Sequence, residues 1–146
     1  MFRGNAPARI DDKGRLKVPN AFRSLLEGKY GRELFLTSLT GEYVRIYPMP
    51  VWLDFEAKLG TMPATHPSRI RMLDRVNYFG QSSELDVQGR VIIPVRLREA
   101  ATMSGDVDVL GQLNCLDVWN HDRFLNKLQR EPFTDDDARA LAEFGI

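Results

Sequence analysis

The sequence contains very little of what enzymes and secreted proteins depend on. Its 146 residues include one cysteine and two histidines, which leaves no material for a disulfide framework or a Cys/His metal cluster. Neither the G-x-S-x-G, P-loop, G-x-G-x-x-G nor H-E-x-x-H motif occurs. Cys115 sits in an apolar strand pattern without a nearby histidine, which favours a buried thiol over a nucleophile. We therefore expect no enzymatic activity, no metal, no cofactor and no small-molecule substrate.

Long hydrophobic segments are also absent. No apolar run approaches the roughly 20 residues that a membrane span requires. The first 15 residues, MFRGNAPARIDDKGR, lack the apolar stretch of a signal peptide. With 43% hydrophobic and 27% charged residues, the chain can still bury a core. These features predict a cytoplasmic globular protein that does not associate with membranes.

Net charge is absent too, but the charges are unevenly distributed. The chain has 20 basic and 20 acidic residues. Residues 1–75 contain 13 Lys and Arg against 8 Asp and Glu, whereas residues 76–146 contain 7 against 12. A neutral chain with such a basic half can present a basic face to a nucleic acid, because the local charge matters more than the average.

The sequence does contain an internal repeat. Residues 10–23 (IDDKGRLKVPNAFR) and residues 85–98 (LDVQGRVIIPVRLR) match at an offset of 75, with their apolar positions retained. Residues 33–47 and 105–119 align more weakly as two β-rich runs around a turn. The pattern indicates a tandem duplication of a unit of about 45 residues. The identical positions are Asp11/Asp86, Gly14/Gly89, Arg15/Arg90, Pro19/Pro94 and Arg23/Arg98.

Each unit has a predictable local structure. Asp-x-x-Gly-Arg is typical of a tight turn, in which Asp bonds its own backbone and Gly supplies a positive φ. A strand follows at residues 15–18 and 90–93, and it ends at a proline that suits the first turn of a short helix. We interpret Asp11, Gly14, Asp86 and Gly89 as structural residues of the two turns. Each unit is then strand, turn, strand, short helix, strand, strand, helix.

Helical patterns fill the other segments. Apolar residues at spacings of about three predict a helix over residues 68–79, after a proline-rich break. The acidic run at 134–137 predicts a capped helix start near the C-terminus. The predicted organisation is residues 5–51 for the first unit, 52–80 for connecting helices, 81–124 for the second unit and 125–146 for a C-terminal helical tail. Such small units bury little surface alone, so we expect the two to pack together.

The paired Asp-x-x-x-Arg turns, each continuing through Gly-Arg-apolar-x-apolar-Pro into a helix, resemble the MraZ family of bacterial transcriptional regulators. Met1-Phe-Arg-Gly4 and Val44-Arg-Ile-Tyr-Pro48 are similar as well, and the resemblance covers about residues 1–130. It implies a mainly β fold with helices, α+β by content, in which two tandem AbrB/SpoVT-like swapped-hairpin units form a pseudo-symmetric double-split β-barrel. It also implies a DNA-binding regulator of its own operon in the division and cell-wall gene cluster, nucleoid association and ring-shaped homo-oligomers.

The candidate DNA contacts are the basic residues around these turns. Most protein–DNA hydrogen bonds go to the backbone, so phosphate is the default ligand of each cation. Arg15 and Arg90 also have enough geometric definition to bind a base edge. The aspartate four residues before each arginine is an ion-pair partner, so a purely turn-stabilising role and a contact to a neighbouring subunit stay open. The full set is Arg3, Arg9, Lys13, Arg15, Lys17, Arg23, Arg90, Arg96 and Arg98.

Two departures of the second unit from the first change the charge beside its turn and at its helix entry. Gln88 stands where the first unit has Lys13, and Arg96 stands where it has Ala21. The two units therefore match more closely as folds than as DNA contacts.

Two functions are consistent with these features. One is a sequence-specific regulator that binds tandem repeats of double-stranded DNA as a homo-oligomer, in which linkage raises the effective affinity by roughly 10²–10⁴. The alternative is a ring-forming scaffold that binds other proteins and binds DNA only incidentally. The regulator predicts strong salt dependence and a preference for operator sequence, and the scaffold predicts neither.

Overall fold

The computed structural model describes all residues from Met1 to Ile146. The strands are β1 (Asn5–Ile10), β2 (Arg15–Lys17), β3 (Glu33–Thr37), β4 (Val44–Pro48), β5 (Gln81–Glu84), β6 (Arg90–Ile92), β7 (Gly105–Gly111) and β8 (Leu116–Asn120). The helices are α1 (Asn20–Leu25), α2 (Met49–Leu59), α3 (Pro67–Tyr78), α4 (Val95–Ala100), α5 (His121–Arg130) and α6 (Asp135–Ala142), and a π-helical turn (Leu26–Tyr30) follows α1. None of the helices combines the length and the apolar character needed to span a bilayer.

All eight strands belong to one antiparallel sheet. Their order is β5-β3-β4-β8-β7-β1-β2-β6, and the two end strands, β5 and β6, contact each other, so the sheet closes almost completely into a barrel. The predicted fold, a mainly β double-split barrel with helices, is confirmed. Its strand ends differ slightly from the prediction, because the N–H groups of Val18 and Ile93 leave the ladder and donate to carbonyls in the opposite unit's turn.

The two units exchange strands with each other. β1 of the first unit pairs with β7 of the second, and β5 of the second pairs with β3 of the first. The β2·β6 and β4·β8 ladders join the units directly. Leu16 lies opposite Val91 in the first ladder, and Arg45 lies opposite Asp117 in the second. Since each pair occupies equivalent positions of the two units, a pseudo-two-fold axis passes through both ladders.

The core lies inside the barrel and is shared by both units. Twenty buried apolar side chains form one cluster, which includes the inward residues of β2, β6 and both short helices. Phe2 is 1% exposed and packs edge-on against Phe22, with ring centroids 6.1 Å apart. Its backbone is bridged to Leu113 by hydrogen bonds of 2.7 and 3.0 Å. The N-terminal segment is therefore fixed beside the β7–β8 connection.

One ion pair occupies the β4·β8 ladder. The Asp117 carboxylate accepts hydrogen bonds from Nε and Nη2 of Arg45 at 2.7 and 3.0 Å. Asp117 is 5% exposed, and the Arg45 guanidinium lies over the rings of Tyr43 and Tyr47. Hydrogen bonding to Asp117 raises the pKa of Arg45 above its already high ordinary value, so Arg45 stays protonated. It links the two units on the pseudo-two-fold axis.

The longer helices cover the outside of the barrel. α2 packs on β3 and β4, where Trp52 stacks on Phe35, and α5 packs on β7 and β8. α3 begins and ends one residue before the predicted helix, with the His66 side chain capping its first turn. α6 begins with a capping box between Thr134 and Asp137, which confirms the predicted capped start. α2 and α5 therefore lie on the side of the barrel away from the β2·β6 ladder.

Candidate nucleic-acid interface

The turn between β1 and β2 is organised by one carboxylate. Asp11 Oδ1 accepts the N–H groups of Lys13 and Arg15 at 3.0 and 2.8 Å, and Oδ2 accepts Nε of Arg15 at 2.6 Å. Gly14 has φ +78°, a conformation that glycine adopts without steric cost. The hydrogen bond from the Arg15 N–H, supported by the Arg15 side chain and the Lys13 N–H, lowers the pKa of the Asp11 carboxyl. Asp11 is therefore charged at neutral pH and holds Arg15 in place.

The turn between β5 and β6 repeats this arrangement. Asp86 accepts the N–H groups of Gln88 and Arg90, both at 2.8 Å, and Nε of Arg90 at 3.0 Å. Gly89 also has φ +78°. The Arg90 N–H hydrogen bond is the main cause that lowers the pKa of the Asp86 carboxyl. Each aspartate thus accepts hydrogen bonds within its own turn, and each arginine forms an ion pair with the aspartate four residues before it.

Each turn also accepts a backbone hydrogen bond from the opposite unit. The N–H of Val18 donates to the Gly89 carbonyl at 2.9 Å, and the N–H of Ile93 donates to the Gly14 carbonyl at 2.8 Å. These hydrogen bonds are equivalent under the pseudo-two-fold axis. Each turn is therefore formed by one unit and fixed by the other.

Arg23 closes over the second turn. Its Nη2 donates to the Val87 carbonyl at 2.9 Å, and its Nε pairs with Glu27 at 3.0 Å. The side chain lies so close to Gly89 that a Cβ there would be 2.7 Å from it. Arg23, a candidate phosphate ligand, therefore stabilises the turn that presents Arg90.

Arg98 closes over the first turn in the same way. A Cβ at Gly14 would lie 2.5 Å from the Arg98 side chain. Thr102 stands where the first unit has Glu27, so Arg98 lacks the carboxylate that holds Arg23. Its Nε is buried without a hydrogen-bond partner. Arg98 therefore packs on the turn without a fixed acceptor for its charge.

Replacing Gly14 by alanine should lower the free energy of unfolding by about 1–2 kcal/mol, because an L-residue is strained at this positive φ. The nearby Arg98 side chain adds little, since its flexible end can move away. Urea unfolding measures the effect. Gly28→Ala is the matched control, because its φ is not positive and a Cβ there meets nothing within 4 Å. If both variants unfold at the same urea concentration, the turn does not require its glycine.

The outer face of the β2·β6 ladder presents a line of side chains beside these turns. Leu16 and Val91 point inward and are buried, so their neighbours along each strand point outward. We call this outer face the ladder surface. It consists of Arg15, Lys17, Arg90 and Ile92.

The ladder surface carries positive charges that do not stabilise the sheet. Lys17 lies directly opposite Arg90, and like charges in opposite positions destabilise a strand pair. Arg15 and Arg90 each bond an aspartate through Nε, and their terminal nitrogens have no acceptor in the protein. Their side chains are 32% and 31% exposed. The surface therefore offers oriented donors that no protein group occupies to an anion.

Arg9 and Lys13 extend the ladder surface on the side of the first unit. Arg9 points outward from β1 and lines a shallow groove together with Lys17 and Asn20. Its only ionic partner is Asp106, at 3.5 Å in an exposed pair of the kind that contributes little. Lys13 is exposed at the tip of the first turn. The groove residue Asn20 was not among the predicted contacts, because nothing near it in sequence marks it as one.

The remaining predicted contacts lie elsewhere. Arg3 is next to Gly111, at the end of β1 away from the turn. The Arg96 guanidinium lies 4.2 Å from the ring centroid of Tyr78 and donates to its carbonyl. The structure thus brings five of the nine candidates together and places two beneath them as turn braces. The five are Arg9, Lys13, Arg15, Lys17 and Arg90.

Comparison with known proteins matches almost the whole chain to one family. The family model described as "MraZ protein, putative antitoxin-like" matches residues 1–76 and 80–144, so it covers both units and both turns. The chain belongs to the MraZ family. The two matched segments meet near the start of β5, which agrees with a duplicated chain.

Individual relatives are similar over their full length. A protein of Acidobacterium capsulatum is 47% identical over 146 residues, and one of Koribacter versatilis is 48% identical over 147 residues. A protein of Herpetosiphon aurantiacus is 38% identical over 152 residues. In each comparison the alignment covers 100% of both chains, and each relative is named transcriptional regulator MraZ. The family is therefore one of transcriptional regulators.

The single cysteine is not part of the ladder surface. Cys115 lies just before β8 and is buried, and this burial raises the pKa of its thiol to about 11. The thiol is therefore protonated at neutral pH, which makes it a poor nucleophile. The predicted buried thiol is confirmed.

Proposed function

We propose that this protein regulates transcription by binding double-stranded DNA with Arg15, Lys17 and Arg90 of the ladder surface, together with Arg9 and Lys13. The observation that carries the proposal is the pair of Asp-held arginines, Arg15 and Arg90, which lie on one face and whose terminal nitrogens have no acceptor within the protein. The repulsion between Lys17 and Arg90 is relieved when a polyanion covers them. The regulatory names of the relatives support the same function.

The geometry suits the two arginines to base recognition and the other cations to phosphates. An arginine whose Nε is fixed by a carboxylate keeps its two terminal nitrogens for an outside acceptor. Two such donors match the O6 and N7 atoms of guanine in the major groove. Lys17, Lys13 and Arg9 are more flexible and suit phosphate oxygens, which fix position without reading sequence.

We propose further that the protein binds tandem repeats upstream of its own operon, in the division and cell-wall gene cluster, as a nucleoid-associated homo-oligomer. The resemblance to MraZ proteins supports this location. One module offers few phosphate contacts and would bind non-specifically with a Kd on the order of 10⁻⁴–10⁻⁶ M. Linking several modules in a ring raises the effective affinity by roughly 10²–10⁴ when the spacing fits.

The C-terminal segment offers a surface for such assembly. α6 buries none of its residues, and Phe133, Phe144 and Ile146 are exposed. Exposed apolar groups grouped in one segment are characteristic of protein–protein contacts. This surface is also the observation that favours the alternative function, a scaffold that binds other proteins.

A fluorescence-anisotropy titration distinguishes the regulator from the scaffold. The duplexes are the protein's own upstream region, a scrambled sequence, and the upstream region with its repeat spacing shifted by half a helical turn. We expect the native duplex to bind most tightly, and log K to fall with log salt at about −0.9 per phosphate contact. The three cations assigned to phosphates at one module, Lys17, Lys13 and Arg9, therefore give a slope of about −2.7.

Each arm of this titration has a result that contradicts the proposal. Equal affinity for the native and scrambled duplexes, with little salt dependence, would leave the scaffold as the function. Undiminished binding to the shifted duplex would contradict the proposed ring-shaped homo-oligomer, because linked modules need their sites on the same face of the DNA helix.

A further inference from the structure

The two sides of the ladder surface are chemically different, although the fold makes them equivalent. At the offset of 75, the first-unit positions beside β2 are basic or polar, and their second-unit counterparts are acidic, neutral or aliphatic. We name these sets the first flank and the second flank. The first flank is Arg9, Lys13, Lys17 and Asn20. The second flank is Glu84, Gln88, Ile92 and Val95.

We propose that DNA phosphates bind the first flank and not the second, so that the barrel binds a duplex in one orientation only. The inference deepens the proposed DNA-binding function and rests on it. Arg15 and Arg90 are common to both units, and in the ladder Arg90 lies opposite Lys17 of the first flank and Arg15 lies opposite Ile92 of the second. The orientation therefore comes from the flanking side chains rather than from the motif that the units share.

The cross-strand partners preserve the charge difference between the flanks. Arg9 on β1 lies opposite Asp106 on β7, and the two side chains form an ion pair at 3.5 Å. The equivalent position in the second unit places Glu84 on β5 opposite Glu33 on β3. Neither glutamate has an ion-pair partner, and both are exposed. The Glu84 carboxylate on β5, the strand next to β6, and the Glu33 carboxylate opposite it on β3 repel a phosphate that approaches this side.

The aliphatic positions of the second flank have the same effect. Ile92 and Val95 are each 58% exposed, where Lys17 and Asn20 stand in the first unit. An exposed isoleucine offers no donor to a phosphate oxygen, so a backbone placed here would lose hydrogen bonds to water without replacing them. The first flank supplies donors at both equivalent positions.

At two further pairs of equivalent positions the second unit is the more positive one, but neither pair removes the charge difference between the flanks. Asp12 in the first turn corresponds to Val87, and Ala21 corresponds to Arg96. Arg96 is engaged by the ring and the carbonyl of Tyr78, which directs its charge towards the end of α3. Asp12 adds one negative charge at a turn tip that also carries Lys13. The first flank keeps an excess of cations, and the second flank has none.

The duplication supplies a matched pair of variants for the test. Lys13→Gln gives the first flank the residue of the second, and Gln88→Lys gives the second flank the residue of the first. Both side chains are exposed at equivalent turn positions, where only the backbone N–H bonds the aspartate, so each variant should fold like the wild-type protein. The salt dependence of binding to the native upstream duplex is measured by anisotropy for the wild type and both variants.

We expect Lys13→Gln to make the slope of log K against log salt shallower by about 0.9, the loss of one phosphate contact. We expect Gln88→Lys to leave that slope unchanged, because its new ammonium lies away from the duplex. A slope that becomes steeper by about 0.9 in Gln88→Lys would overturn the inference, since the second flank would then also contact phosphate. An unchanged slope in Lys13→Gln would overturn it as well.

Failure of the inference and failure of the proposed function give different results. If the wild-type protein binds DNA with a steep salt dependence and only the variants disagree with expectation, the orientation is wrong and the DNA-binding function stands. If the wild-type protein itself shows no salt-dependent binding to any duplex, both are overturned.

Discussion

Replacing Arg15 and Arg90 together by alanine should weaken binding to the native upstream duplex by about 30-fold or more. Each arginine that bonds a base edge through two nitrogens contributes roughly 1–3 kcal/mol, and each 1.4 kcal/mol is a factor of ten. The loss should be larger for the native duplex than for a scrambled one, because base contacts discriminate and phosphate contacts do not.

The double variant should remain folded. Each turn keeps the two hydrogen bonds from backbone N–H groups to Asp11 or Asp86, so only the bond to Nε is lost. Half-exposed ion pairs between residues four apart contribute at most about 1 kcal/mol. Anisotropy gives the affinity, and thermal unfolding checks that the fold persists.

A control variant removes the same charge from the other side of the barrel. Lys58→Ala combined with Arg130→Ala takes two cations from α2 and α5, which pack on the strands away from the ladder surface. We expect this variant to bind the native duplex like the wild type at moderate salt. Equal losses in the two double variants would mean that net charge, rather than the ladder surface, determines affinity.

Replacing Asp117 by alanine should lower the free energy of unfolding by about 3 kcal/mol. Removal of one partner of a buried ion pair costs roughly 3–5 kcal/mol, because the remaining charge is left in a poorly solvated site. The Arg45 side chain is 32% exposed, so water compensates in part and the lower end applies. Urea unfolding followed by tryptophan fluorescence measures the change, since Trp119 is two residues from Asp117.

An exposed ion pair serves as the control for this prediction. Lys127 and Glu131 on and after α5 approach to 3.8 Å at the surface, and Glu131→Ala should change the free energy of unfolding by less than about 1 kcal/mol. If Asp117→Ala costs no more than Glu131→Ala, the pair in the β4·β8 ladder does not hold the two units together.

The turns could be predicted from sequence because their chemistry is local. Asp11, Gly14 and Arg15 lie within five residues, and the aspartate bonds groups two and four positions further along. The same spacing recurs at Asp86, so both turns and the following strands were predicted almost to the residue. The mainly β fold follows from these elements together with the resemblance to MraZ proteins.

The contacts between the units could not be predicted, because they join residues far apart in sequence. Arg23 reaches the carbonyl of Val87 across 64 positions, and Arg45 bonds Asp117 across 72. The weaker alignment of residues 33–47 with 105–119 matches Glu33 to Gly105, which is wrong by one position. Arg9 lies opposite Asp106, and its equivalent Glu84 lies opposite Glu33, so Glu33 is equivalent to Asp106.

Sequence alone could not say which basic residues share a surface. Arg15 and Lys17 point outward together because the buried Leu16 lies between them, and pairing with β6 adds Arg90. Arg23 and Arg98 are identical residues at equivalent positions of the two units, yet each packs over the turn glycine of the opposite unit. Sequence identity between the units therefore did not distinguish the arginines that pack on the turns from the arginines that face outward.

The ion pair on the pseudo-two-fold axis has a consequence for how the halves of this chain can combine. At that position a symmetric dimer would place a residue opposite its own copy. Two first units paired in this way would bring Arg45 against Arg45, and two second units would bring Asp117 against Asp117. A dimer of two identical units therefore places two equal charges next to each other in this ladder. A dimer of a first unit with a second unit forms the Arg45–Asp117 ion pair instead. Split at residue 80 and mixed, the halves should assemble as obligate heterodimers, with neither half able to replace the other.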